Sequence, residues 1–172
     1  MVSKRVILSE EQIQQRVREL AEQIDRDYEN KTPILVGVLN GVFRFIADLT
    51  SYLTIPAQFD FVRISSYGKS SESSGRIRLT KDVELDLTGR HVLVIEDIVD
   101  SGLTLDWLVK NLKDRGAASI KTCVLIDKPE RRECAVTLDY LGFLIEEGFL
   151  VGYGLDYAEE YRYLNAIYHL EL

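Results

Sequence analysis

The stretch from His91 to Leu105, HVLVIEDIVDSGLTL, limits the possible folds more than any other part of the chain. Val92 to Ile95 is a short apolar run. Glu96 and Asp97 end it, and Asp100-Ser101-Gly102-Leu103-Thr104 then leads into a helical pattern through Arg115. A run this short and this apolar reads as a strand buried on both faces, and the turn that follows delivers the chain directly into a helix.

The remaining segments repeat the pattern. Ser9 and Gln12 have capping-box spacing, and Ile13, Val17, Leu20, Ala21, Ile24 and Tyr28 follow at helical spacing. Pro33 to Leu39 reads as a buried strand and Gly41 to Leu53 as a helix with Val42, Phe45, Ile46 and Leu49 on one side. Gln58 to Ile64 reads as a strand with Phe59, Phe61 and Ile64 on one face. Further strands are expected over Ser119 to Ile126 and Phe149 to Tyr153. Alternating strands and helices predict an α/β fold with a largely parallel central sheet flanked by helices. Residues 1–172 are expected to form one domain. Its core covers about 30–127, a small cap comes from the N- and C-terminal segments (about 1–10 and 128–172), and a polar Gly/Ser-rich flexible loop covers 65–76.

Composition excludes several classes. A net charge of −7 argues against a broad nucleic-acid-binding face, though not against a local pocket for a small anion. Cys123 and Cys134 have no metal-knuckle or disulfide spacing, and Cys123 lies in an apolar run as a buried thiol. The N-terminus turns charged too early for a secretory signal, and no apolar stretch approaches the ~18 residues of a membrane span. A cytoplasmic protein is expected.

The DSGLT turn has chemistry suited to a phosphorylated sugar. A helix N-terminus offers free N–H groups and the positive end of the helix dipole. Gly102 permits close backbone approach, and Ser101 and Thr104 add hydroxyl donors. Glu96 and Asp97 can accept from ribose hydroxyls or sit beside a Mg²⁺ that neutralises a diphosphate. No Lys follows the Gly, so a Walker-type nucleotide triphosphate loop is disfavoured. These residues alone leave Asp100 open as either a general base or a helix-capping carboxylate.

The segment resembles the phosphoribosyl-diphosphate motif of the type I phosphoribosyltransferases. Over roughly Pro33 to Tyr168 the chain is more closely similar to the hypoxanthine-guanine phosphoribosyltransferases of the short bacterial kind. That family transfers the phosphoribosyl group of 5-phosphoribosyl 1-diphosphate to N9 of a 6-oxopurine in purine salvage. The resemblance implies that Asp100 accepts the purine N7 proton and that Ser101, Gly102, Leu103 and Thr104 cradle the 5′-phosphate. Glu96 and Asp97 would contact the ribose hydroxyls and Mg²⁺.

By the same resemblance, Leu39-Asn40-Gly41 matches the diphosphate loop, one that carries a non-proline cis peptide in the family. Asn40 stands where relatives often have a basic residue, so the backbone at Gly41 is the firmer contact. Ser66-Tyr67 matches the signature pair of a loop that closes over the site, which suits a transition state that must be kept from water. Lys128 would donate to the purine O6 and so favour 6-oxo over 6-amino bases. Phe149 would stack on the base and Leu150 would offer backbone groups to its edge. Asp156 would lie by a second Mg²⁺, and Arg162 would reach the diphosphate. Arg131, Arg132 and Glu133 read as a solvated surface.

The expected partners are small-molecule substrates, with no nucleic acid and no membrane, and the family implies a homodimer or homotetramer. Two rivals remain at this stage: a phosphoribosyltransferase for xanthine or another base, and a nucleic-acid-binding regulator on the same fold.

Overall fold

The computed structural model describes residues 2–67 and 76–172. Its main sheet contains β2 (Ile34–Leu39), β3 (Gln58–Tyr67), β4 (Arg76–Lys81), β5 (His91–Val99), β6 (Ser119–Asp127) and β7 (Tyr140–Leu144), in the order β4-β3-β2-β5-β6-β7. All neighbours pair parallel except the β3–β4 hairpin at one edge. A second, antiparallel sheet joins β1 (Ser3–Leu8), β9 (Ile167–Glu171) and β8 (Leu150–Val151). Three helices are described: α1 (Glu10–Asp27), α2 (Phe43–Tyr52) and α3 (Leu103–Lys113).

Strand periodicity divides the core in two. Leu35, Leu93 and Ile95 point to the face covered by α1 and α2, where they meet Ile13, Val17, Leu20, Ile24, Phe45 and Leu49. Ile34, Val36, Val92 and Val94 point to the other face and pack on Leu105, Leu108 and Leu112 of α3. Successive strand residues face opposite ways, so an uninterrupted apolar run is what burial on both sides requires. The capping box is present: the Gln12 N–H donates to Ser9 Oγ at 3.1 Å and the Ser9 N–H to Gln12 Oε1 at 2.8 Å.

Several sequence boundaries shift. β5 extends to Val99, so Glu96 and Asp97 lie within the strand, where the parallel ladder to β6 continues through Ile98 and Val99. β3 runs through Ser65 to Tyr67, so the loop expected over 65–76 does not begin at Ser65; its residues 68–75 lie outside the described residues. Phe59 is exposed, Phe61 packs on the α1/α2 side, and Ile64 packs on the α3 side beyond a register shift at Arg63/Ile64, so these three do not share a face. β8 covers only Leu150–Val151.

Tyr140–Leu144, assigned from sequence to the cap, adds a sixth strand to the main sheet instead. Arg16 of α1 covers this edge strand, donating to the carbonyls of Gly142 at 3.0 Å and Leu141 at 2.6 Å. A guanidinium on those carbonyls leaves fewer groups open to another chain's strand.

Strand order places the site. From β2 the chain winds through α2 to β3 on one side, and from β5 it winds through α3 to β6 on the other. The crossovers diverge between β2 and β5, and the carboxyl ends of strands at such a switch point frame a ligand crevice. The loops after β2 and β5 are Asn40-Gly41 and Asp100 to Gly102.

Candidate active site

Two cavities of about 250 Å³ each lie at the carboxyl ends of the central strands. Val38, Ile64, Glu96, Ser101, Gly102 and Thr104 help line the first. Asp97, Lys128, Gly148, Phe149, Leu150 and Asp156 help line the second. Ile98 and Asp100 belong to both.

The first cavity is built around the start of α3. Gly102 is the N-cap, with φ of +83°, and no side chain caps the helix. Ser101 Oγ instead accepts the Leu103 N–H at 3.2 Å. A Cβ at Gly102 would meet Arg132 Cδ and the Cys134 carbonyl at 3.1 Å, so both conformation and space favour glycine here. Asp100 does not cap the helix: its Oδ1 is buried and has no hydrogen-bond partner among the described residues. A buried acceptor without a donor costs free energy, which a ligand proton would recover.

Arg132 holds this turn from behind. Its Nε donates to the Asp100 carbonyl at 2.9 Å, and its guanidinium pairs with the Asp127 carboxylate. The Glu133 N–H donates to the Ser101 carbonyl at 2.9 Å. The solvated surface expected over Arg131 to Glu133 is therefore corrected at Arg132, which is partly buried beneath the turn. Only the presence of Asp127 five residues earlier hinted at this in the sequence.

Glu96 and Asp97 are buried side by side. Burial and the adjacent Asp97 carboxylate push Glu96 well above the ordinary carboxylate range. Burial also pushes Asp97 up, against the opposing pull of hydrogen bonds and the Arg162 guanidinium. A Cβ at Gly41 would overlap Asp97 Oδ2, and one at Gly154 would overlap the Gly41 carbonyl. The Asn40-Gly41 loop, Asp97 and the Gly154 turn therefore fit together only because two glycines lack side chains. The Leu39–Asn40 peptide is cis, and Asn40 is exposed.

The second cavity gathers residues from three separate segments. Lys128 is 7% exposed, so it is no free surface lysine. Phe149 packs edge-to-face on Tyr157, with ring centroids 5.5 Å apart. Tyr157 was not singled out from sequence, where nothing but its aromatic character marked it. Arg162 donates to the Gly154 carbonyl at 2.7 Å and pairs with Asp156 Oδ1 at 3.2 Å. Asp156 Oδ2 also accepts the Glu159 N–H at 3.0 Å. Ser66 and Tyr67 end β3, and their side chains lie outside the described residues.

The arrangement joins an anion-binding helix start to an apolar, aromatic slot ending in a buried ammonium. A carboxylate with an unmet acceptor stands between them. Such a site can bind a sugar phosphate and a flat heterocycle and move a proton between them.

Residues 6–158 match the model of the phosphoribosyl transferase domain, so the chain belongs to that family. It is similar to the hypoxanthine-guanine phosphoribosyltransferase of Mycobacterium tuberculosis, at 46% identity over 95% of this chain and 84% of that one. The enzyme of the same name from Bacillus subtilis is 45% identical over 95% of this chain and 91% of that one. Among solved structures, a hypoxanthine-guanine phosphoribosyltransferase from Bacillus anthracis superposes with a TM-score of 0.92, at 43% identity, covering 98% of this chain and 99% of that one. A hypoxanthine phosphoribosyltransferase from Staphylococcus aureus superposes at 0.93, with 38% identity, covering 97% and 91%. The fold is that of the type I phosphoribosyltransferases.

Proposed function

We propose that the chain transfers the phosphoribosyl group of 5-phosphoribosyl 1-diphosphate to N9 of hypoxanthine or guanine, giving IMP or GMP and diphosphate in purine salvage. The observation that carries this reading is the position of Asp100, which lines both cavities and carries a buried oxygen with no partner among the described residues. The 5′-phosphate lies on Ser101 to Thr104, at the positive end of the α3 dipole. The purine lies between Phe149 and the backbone at Leu150, with O6 toward Lys128. As N9 forms its bond to the anomeric carbon, the bond to diphosphate breaks and Asp100 takes the N7 proton. General-base catalysis of this kind contributes typically about 10²–10⁴-fold.

Glu96 and Asp97 fit a role beside Mg²⁺. Among the described residues no group of three or more His, Cys, Asp or Glu side chains could hold a metal by itself. Mg²⁺ is commonly bound by one or two carboxylates together with substrate oxygens, which two adjacent buried carboxylates beside a diphosphate site would provide. The cation would neutralise charge developing on the leaving diphosphate. Asp156, as a ligand for a second Mg²⁺, would first have to exchange its contact with Arg162, and Arg162 would have to do the same to reach diphosphate. Closure of the loop carrying Ser66 and Tyr67 would keep water from the reaction.

No helix among the described residues is long and apolar enough to cross a membrane. The reading includes a cytoplasmic homodimer or homotetramer. Incubation with Mg²⁺, phosphoribosyl diphosphate and hypoxanthine should yield IMP and diphosphate in equal amounts, measured by chromatography. Unconsumed hypoxanthine, together with salt-dependent RNA or DNA binding, would replace this reading with that of a regulator.

A further inference from the structure

Lys128 is buried, and a buried ammonium requires a partner. That partner is Glu130, whose Oε2 lies 3.1 Å from Lys128 Nζ. The pair spans only two residues, because Pro129–Arg131 forms a single 3₁₀ turn that brings the two side chains together. Gly148, in the segment leading into Phe149, lines the same cavity as Lys128. Gly148 has φ of +105°, and a Cβ there would meet the His169 ring at 2.5 Å, so this segment is backed by β9 on its other side. Lys128 and Phe149 line the same cavity, and Glu130 holds the ammonium of the first.

We propose that Glu130 is a positioning residue for the purine, holding the Lys128 ammonium in place as the O6 donor of the cavity that Phe149 also lines. The proposal rests on the reading of the second cavity as the purine subsite. An ammonium has three N–H donors. One engages Glu130, leaving the others for a 6-oxo group. A 6-amino base brings a further donor to the same place and gains nothing there.

Glu130 itself is well exposed and need not touch the substrate. Losing it should therefore weaken binding of the base without changing the chemical step. Removal of ground-state binding raises KM and leaves kcat unchanged.

The test compares Glu130→Ala and Glu130→Gln with the wild type in steady-state kinetics, with Mg²⁺ present and hypoxanthine and phosphoribosyl diphosphate varied in turn. Glu130→Ala should raise KM for hypoxanthine by about tenfold, the scale of one charge-assisted hydrogen bond, with kcat and the KM for phosphoribosyl diphosphate within about twofold. Glu130→Gln keeps an acceptor for the Lys128 ammonium but not the charge, and should give a smaller rise of about threefold. If Glu130→Ala does not fold, the Gln variant decides.

A hypoxanthine KM within twofold of wild type in the folded variants would overturn the proposal. So would equal rises in both KM values with a lower melting temperature, which would indicate general loosening. A wild type that consumes no purine would overturn the functional reading, and this proposal with it.

Discussion

The two cavities that meet at Asp100 are assembled differently. The first is built mainly from one continuous run, in which strand β5, its turn and helix α3 supply Glu96, Ser101, Gly102 and Thr104 within nine residues. The second draws Asp97 from β5, Lys128 from the end of β6, and Phe149, Leu150 and Asp156 from the segment around β8. A helix start binds anions through backbone that any suitable turn provides, so one short motif is enough. A slot for a particular heterocycle needs a stacking ring, a donor and an edge at fixed spacings, and only tertiary packing brings such groups together. The phosphate side can thus be recognised locally, while the base side depends on the whole sheet.

Substitutions can separate the two sides. Asp100→Asn should have the largest effect, because Asp100 serves both. We expect kcat to fall by about 10²–10⁴-fold with little change in affinity for phosphoribosyl diphosphate, measured by turnover and by calorimetric titration. Unaltered turnover would remove Asp100 as the base. Lys128→Met should act on the base side alone, lowering kcat/KM for hypoxanthine about 10–100-fold, as loss of a charge-assisted contact does, and reducing the preference for hypoxanthine over adenine. Steady-state assays with both bases check this.

Arg132→Ala should act mainly on the phosphate side, by releasing the Asp100 carbonyl and Asp127. The KM for phosphoribosyl diphosphate should rise about tenfold, and more than that for hypoxanthine, in the same assay. Equal effects on the two substrates would mean that the cavities are not separable.

The smallest effect should come from a buried carboxylate outside both cavities. Burial pushes Asp60 up, but the N–H groups of Leu85, Phe61 and Glu84 and the Lys81 ammonium outweigh it and hold the carboxyl below its ordinary value. Its stabilising contribution is then present in full above its unfolded pKa of about 3.9 and is lost as pH falls through the lower folded value. Asp60→Asn should cost about 1–3 kcal/mol at neutral pH and flatten the acid limb of the stability curve. Urea unfolding at several pH values would check this, with both KM values unchanged.

How much could be read from the sequence follows the same division. The helices, the buried strands and the DSGLT turn were legible because periodicity and capping are local signals. β1, β4, β7 and β9 were not, because edge and cap strands carry little apolar alternation. The role of Arg132 was also hidden: beside Arg131 and Glu133 it looks like any charged surface, and only folding brings its guanidinium to the Asp100 carbonyl. Lys128 and Phe149 were identified through family resemblance, since a lone lysine or phenylalanine has no local signature. Folding does contribute one feature about Asp100 that neither spacing nor composition could: a buried oxygen with no partner among the described residues, on a residue that does not cap the helix it precedes.

The site should be selective for 6-oxopurines, and diphosphate release tests that most directly. The wild-type protein would be incubated with Mg²⁺ and phosphoribosyl diphosphate, and separately with hypoxanthine, guanine, xanthine, adenine or uracil. Release with hypoxanthine or guanine, and none above background with adenine or uracil, is the predicted result. Release with adenine or uracil but not with hypoxanthine or guanine would contradict it.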